Sequence, residues 1–204
     1  MQRKPMGKAL IVVDVQNDFC PGGALAVPEG DRVVEVINNL RQGFDLVVFT
    51  QDWHPADHAS FAANQPGKKV YDVIRLGEAD QVLWPVHCVQ NTPGAAFHSR
   101  LDIRPGDPVF QKGTLTAVDS YSGFMDNDGV HDTGLGDFLR EKGVTQLTVA
   151  GLATDYCVKF TVLDGLKQGF QVVVAQNGCR GVNLTPGDDR KALAEMESAG
   201  AGVI

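Results

Sequence analysis

No stretch of this 204-residue chain approaches the roughly 18 to 20 consecutive apolar residues of a membrane-spanning helix, so no transmembrane segment is expected. An excess of positive charge is also missing. Eighteen Lys and Arg stand against 25 Asp and Glu, a net charge of −7, which argues against general nucleic-acid binding and against adsorption to anionic membranes. Cysteine is scarce: Cys20, Cys88, Cys157 and Cys179 lie far apart and form no CxxC pair. The N-terminus is basic, but the apolar run behind it covers only residues 9–13 and ends at Asp14, which reads as a first strand rather than a signal peptide. Reduced thiols in a cytoplasm are the expectation that follows. No GxGxxG or GxxxxGK[ST] opens a helix, which excludes the common dinucleotide and nucleoside-triphosphate loops. Internal repeats, low-complexity segments and linkers are absent too.

What is present is a balance of 43% hydrophobic and 21% charged residues over a length suited to one well-cored domain. Short apolar runs alternate with segments of helical spacing. Strands are expected at 9–14, 46–50, 108–111, 144–150, 171–175 and 200–204, and helices at 31–42, 135–142, 159–168 and 188–199. The chain ends in or just after the last of these strands, which leaves a natural C-terminal extension open. Strand and helix repeated about five times imply a three-layer α/β domain, a mostly parallel sheet with helices on both faces. Residues 59–83 have no clear period, and a long irregular segment in a compact domain is often functional or inserted.

The stretch Gly151-Leu152-Ala153-Thr154-Asp155-Tyr156-Cys157-Val158 follows one strand and precedes a helix. Cys157 therefore stands at a strand-to-helix switch, on the sheet edge where open α/β folds bind ligands. A helix start favours thiolate over thiol, and its free N–H groups suit a developing oxyanion. A buried, inert cysteine after an ordinary turn fits the same pattern. Asp14 and Lys112 also follow strands, so in a parallel sheet the three side chains share one edge. Lys112 and the helix start would then lower the thiol pKa, with Asp14 accepting the proton and returning it to a leaving amine. The alternatives are a cap for Asp14 and a surface position for Lys112.

The densest cluster of ligand-type side chains is Asp52-Trp53-His54-Pro55-Ala56-Asp57-His58, with His87 as a further imidazole. One carboxylate and imidazoles suit zinc, iron or manganese with positions left open. A solvated loop has the same composition. Phe19 and Trp84 offer flat apolar surface for an aromatic ligand, or plain core packing. His98 and His131 fit no site, and Cys20, Cys88 and Cys179 read as structural.

Taken together, Val13-Asp14-Val15-Gln16-Asn17-Asp18-Phe19, Asp52-Trp53-His54-Pro55, Trp84-Pro85-Val86-His87-Cys88, Phe110-Gln111-Lys112-Gly113, Asp119-Ser120-Tyr121-Ser122 and the Cys157 stretch closely resemble the nicotinamidases (pyrazinamidases) of the isochorismatase-like cysteine hydrolase superfamily. The likeness runs over residues 9–204. It implies a single hydrolase domain over 1–204, with 52–94 as a metal-binding loop region that could serve as a lid. It implies a triad of Asp14, Lys112 and Cys157, and metal ligands Asp52, His54 and His87 with His58 as the fourth. One divalent ion is implied, zinc first, with iron or manganese as alternatives. A cis peptide between Leu152 and Ala153 is implied, aiming the Ala153 N–H with that of Cys157 into an oxyanion hole. Phe19, Trp84, Leu152 and Tyr156 are the implied substrate contacts. The implied reaction is hydrolysis of nicotinamide to nicotinate and ammonia through a cysteine thioester, in NAD salvage, with pyrazinamide as a further substrate. The enzyme is expected to be cytoplasmic, a monomer or small homo-oligomer, with a small-molecule substrate and neither nucleic acid nor membrane as partner.

Overall fold

Residues 7–77 and 79–204 are described in a computed structural model of the chain; most of the basic N-terminal stretch lies outside them. In chain order the elements are β1 (Gly7–Val13), α1 (Val33–Arg41), β2 (Val47–Asp52), a hairpin of β3 (Val73–Leu76) and β4 (Ala79–Val82), β5 (Val109–Lys112), α2 (Leu135–Glu141), β6 (Val144–Leu152), α3 (Lys159–Lys167), β7 (Gln171–Arg180), α4 (Asp188–Ser198) and β8 (Gly202–Val203).

The run Ala9-Leu10-Ile11-Val12-Val13 carries apolar side chains on both faces, and such a strand is stable only with a layer on each side. These residues are fully buried at the centre of the molecule. β1 pairs in parallel with β2 on one side and with β6 on the other. All neighbours in the six-stranded sheet, in the order β5-β2-β1-β6-β7-β8, are parallel. Helices cover this sheet, giving the expected three-layer α/β architecture. The chain builds outward from β1 through β2 and β5, then restarts at β6 on the other side. The topological switch point therefore falls between the ends of β1 and β6.

Each helix is held by an apolar stripe. α1 buries Val33, Val34 and Ile37 at helical spacing. It also buries Arg41, whose guanidinium pairs with Asp107 at 2.8 Å and Asp102 at 3.3 Å and so ties the approach to β5 onto the helix. Leu10, Ile11, Phe49, Leu135, Leu147 and Val162 belong to one continuous core.

Three expectations change. The helix expected at 31–42 begins as a 3-10 turn, Gly30–Arg32, before α1. The strand expected at 171–175 continues to Arg180, so Cys179 lies inside β7 and not in a following loop. The apolar pattern stops at Ala175, but pairing of Cys179 and Arg180 with Gly151 and Leu152 carries the strand onward. The unread segment 59–83 contains the antiparallel β3–β4 hairpin, whose short strands are too exposed to display a period.

Gly151 lies where the backbones of β1 and β6 approach closely. Its φ of +135° excludes most side chains, and it pairs with Val13 on one side and Cys179 on the other. A Cβ there would overlap the Val13 carbonyl oxygen. Gly151→Ala is expected to destabilise the fold by more than about 2 kcal/mol, seen as a lower urea midpoint. An unchanged midpoint would refute the close approach.

Candidate active site

β1 ends at Val13, and Asp14 turns out of the strand with a φ of +49°, a left-handed conformation that Asp adopts more readily than most residues. Its carboxylate is fully buried, accepts the Thr50 hydroxyl at 2.6 Å and lies 2.9 Å from Lys112 Nζ. β2 and β5 run in a register that sets Asp52 beside Lys112. The Lys112 ammonium contacts the Asp52 carboxylate, donates to the Ser120 carbonyl at 2.8 Å, and stands 3.4 Å from Cys157 Sγ. Asp14, Asp52 and Cys157 offer atoms within 4.8 Å of one another. The three strand ends thus meet, and Lys112 is buried between two carboxylates rather than at the surface.

Cys157 lies in a π-helical turn, Thr154–Val158, that leads into α3. The turn follows a cis peptide between Leu152 and Ala153. Burial pushes the Cys157 thiol well above its usual pKa; Lys112 opposes this, and Asp14 and Asp52 add to it. The sequence-based expectation of a lowered thiol pKa is therefore reversed. One ammonium shared with two carboxylates does not outweigh desolvation of a thiolate. Burial likewise raises the Asp14 carboxyl, with Lys112 only partly compensating. For Asp52 burial also acts upward, but Lys112 and then His54 outweigh it and hold the carboxyl below its usual range. Burial depresses the Lys112 ammonium, yet Asp14 and Asp52 more than reverse this, so it stays charged.

Beside this group stands a second one. Asp52, His54 and His87 offer ligand atoms within 4.8 Å of one another, all buried. His54 Nδ1 meets the Gly113 carbonyl at 2.8 Å and His87 Nδ1 the Pro85 carbonyl at 2.8 Å. Each ring thereby directs Nε2 toward Asp52 Oδ2, at 3.6 and 3.9 Å. Backbone carbonyls on Nδ1 with Nε2 turned to a common carboxylate are what a divalent-metal site requires of its outer shell. Burial first, then His54, pushes His87 down to about 4, so it is a neutral imidazole suited to ligation. Gly113 belongs to this design: with φ +62°, a Cβ there would run into the His54 ring.

His58, the expected fourth ligand, lies next to His54. Its Nδ1 meets Ser60 Oγ at 2.7 Å and its Nε2 the Val118 carbonyl at 3.1 Å. It falls into a separate grouping with His54 and Asp119, its ring 4.2 Å from that of His54. Both His58 nitrogens already have protein partners, which sequence spacing does not reveal.

A pocket that is partly open to solvent lies over both groups. Phe19, Trp84, Ala153 and Tyr156 line it, and Cys157, Asp52 and His87 form its polar end. Trp84 stands edge-on to Tyr156 at 4.8 Å and donates from Nε1 to the Tyr121 hydroxyl at 3.2 Å. Leu152 is not part of the lining. It is fully buried at the end of β6. Leu25, Asp119, Tyr121 and Val182 line the cavity without having been anticipated. Gln16 was also missed: its amide accepts the Asp52 N–H at 2.8 Å and donates to the Asp52 carbonyl at 2.8 Å, fixing the backbone of the central carboxylate. A buried amide just past the first strand was the available signal.

Several known proteins are similar to this chain over nearly its whole length. An Escherichia coli nicotinamidase is 51% identical over 198 residues, covering 95% of this chain and 92% of the relative. A nicotinamidase/pyrazinamidase structure from Acinetobacter baumannii superposes with a TM-score of 0.95 at 46% identity, covering 99% of this chain and 97% of that one. A Pyrococcus horikoshii pyrazinamidase solved in complex with zinc gives 0.80 at 39% identity, covering 97% and 98%. Residues 8–204 match the isochorismatase domain, and the chain belongs to that family.

Proposed function

We propose that this chain is an amidohydrolase that converts nicotinamide to nicotinate and ammonia through a thioester on Cys157, and that it hydrolyses pyrazinamide by the same route. The observation that carries the reading is the convergence of Asp14, Lys112 and Cys157 beside a His/His/Asp cluster at the polar end of an aromatic-walled cavity. The names of the relatives point the same way.

The ring lies between Phe19 and Trp84 with its carboxamide over Cys157. Asp14, raised by burial, takes the thiol proton as Cys157 Sγ adds to the amide carbon. The N–H groups of Ala153 and Cys157 hold the oxyanion. Asp14 returns the proton to the departing ammonia, leaving the acyl thioester. Asp14 next accepts a proton from the attacking water, the carboxylate product forms, and the released Cys157 sulfur recovers its proton. Lys112 stays charged throughout and keeps Asp14 and Asp52 in place.

Asp52, His54 and His87 would hold one divalent ion, zinc first, with iron or manganese as alternatives, and His58, whose ring lies 4.2 Å from that of His54, would be the fourth ligand. When bound, the ion supplies a Lewis-acidic position for a ring nitrogen or a water. Residues 52–94 are then the metal-binding region of a single hydrolase domain over 1–204. The four free thiols are in keeping with a cytoplasmic enzyme of NAD salvage.

Purified protein is expected to release ammonia from nicotinamide, to lose this on chelation and to regain it with zinc. No turnover with metal verified as bound would refute the reading. Cys157→Ala is expected to lower turnover at least about 1,000-fold while nicotinamide still binds, the pattern of a lost reacting group; substantial residual activity would move the chemistry to another nucleophile. Asp14→Asn is expected to reduce kcat by about 100- to 10,000-fold, the range for a general acid–base, with little change in KM. A wild-type kcat in this variant would remove Asp14 from the proton path.

A further inference from the structure

Asp155 sits two residues before Cys157, inside the turn that presents the sulfur, and the reaction described above gives it no task. Its side chain is buried and touches neither Lys112 nor the His/Asp cluster among its hydrogen bonds. Both carboxylate oxygens are used instead on a different segment. Oδ1 accepts the Val182 N–H at 2.9 Å and Oδ2 the Asn183 N–H at 2.7 Å. That segment leaves β7 directly after Arg180, which pairs with Leu152 at the end of β6. Asp155 thus bridges the exits of two neighbouring strands, one leading to the nucleophile and the other to a wall of the cavity, since Val182 lines the same space as Cys157.

The far side of the segment is equally fixed. Asn183 adopts a left-handed conformation, φ +53°, and its side-chain oxygen accepts the Asp189 N–H at 2.9 Å in the first turn of α4. Gly181 is closely surrounded: a Cβ there would lie 2.7 Å from Asp189 Cβ and 3.3 Å from Asp155 Oδ1. Val182 is consequently held between a carboxylate in the nucleophile's turn and the start of α4.

We propose that Asp155 is a positioning residue that sets the substrate-ring selectivity of the site by holding Val182 at a fixed distance from Cys157. The inference rests on the reading of the cavity as an aromatic-amide site. Two acceptor oxygens on one rigid side chain fix both the position and the orientation of two successive N–H groups. An Asn side chain accepts with only one oxygen and turns its NH2 toward the second N–H, so Asp155→Asn loosens the wall without emptying the site. The looser wall tolerates a larger ring and grips the natural one less well.

The test compares wild type, Asp155→Asn, Val182→Ala and the double variant on nicotinamide and on its 5- and 6-methyl derivatives, with hydrogen exchange of residues 180–183 measured in parallel. Asp155→Asn is expected to raise KM for nicotinamide about tenfold with a smaller change in kcat, the signature of lost ground-state binding. It is also expected to improve the methylated substrates relative to nicotinamide and to speed exchange at Val182 and Asn183. In the Val182→Ala background the same substitution is expected to add little, because two residues acting through one contact are not additive. Equal losses on all substrates that add to those of Val182→Ala would reduce Asp155 to a stabilising residue and overturn the proposal. Unchanged kinetics or unchanged exchange in Asp155→Asn would overturn it as well. Should Asp155→Asn fail to fold, Val182→Ala decides by itself: unaltered ring selectivity in that variant refutes the wall. Failure of wild type to hydrolyse nicotinamide would instead strike the functional reading, while the exchange measurement still reports on the Asp155 clamp.

Discussion

The Lys112 ammonium is buried with the Asp14 and Asp52 carboxylates on either side of it, and each of the three comes from the end of a different strand. A lone charge of either sign at such a depth is strongly unfavourable, and removing one partner of a buried pair typically costs about 3–5 kcal/mol. The three groups are therefore tolerable only together, and only if β1, β2 and β5 end at matching heights. The parallel register provides that match: Val13 lies opposite Thr50, and Asp52 opposite Lys112. Two carboxylates against one ammonium also leave the cluster short of positive charge. Burial raises the Cys157 thiol and the Asp14 carboxyl and the one shared ammonium does not offset it, while Asp52, which has His54 as a further counter-charge, is lowered.

The same asymmetry separates the roles of the two carboxylates. Asp52 is the anion of the pair, anchored through its backbone by Gln16 and facing two imidazole nitrogens with its free oxygen. Asp14 is the carboxyl whose proton affinity has been moved upward toward that of a proton carrier. Neither role resides in residue type. Both follow from which side of Lys112 each side chain occupies and from what else it meets there.

Around this polar floor the cavity walls are apolar and aromatic, and they are tied to the floor by few, specific bonds. Trp84 reaches Tyr121 through its indole N–H, and Gln81 on β4 donates to both Asp119 and Tyr121. The β3–β4 hairpin is thus joined to the pocket by a side-chain network and not by the main sheet. On the opposite side, Asp155 fastens the segment after β7 to the nucleophile's turn. A buried acceptor with several donors around it holds a loop in place more rigidly than surface contacts would.

Much of the design was legible in the chain. Continuous apolar runs ending in Asp14, at Lys112 and before Cys157 were enough to place those groups on one sheet edge, because a parallel sheet has a single carboxyl-terminal side. The alternation of strand and helix was likewise enough for the layer architecture, since only that arrangement covers strands apolar on both faces. Spacing along the chain says nothing of which nitrogen of His58 is already occupied, of Leu152 turning into the core, or of the pairing that draws Cys179 into β7. Nor does it give the sign of the Cys157 shift, which is a contest between desolvation and charges brought from distant strands. Sequence by itself determined which chemical groups reach the site, because periodicity and strand ends are local properties. Tertiary structure alone decided what each group does there, because protonation, ligand orientation and pocket shape depend on burial and on neighbours far away in the chain.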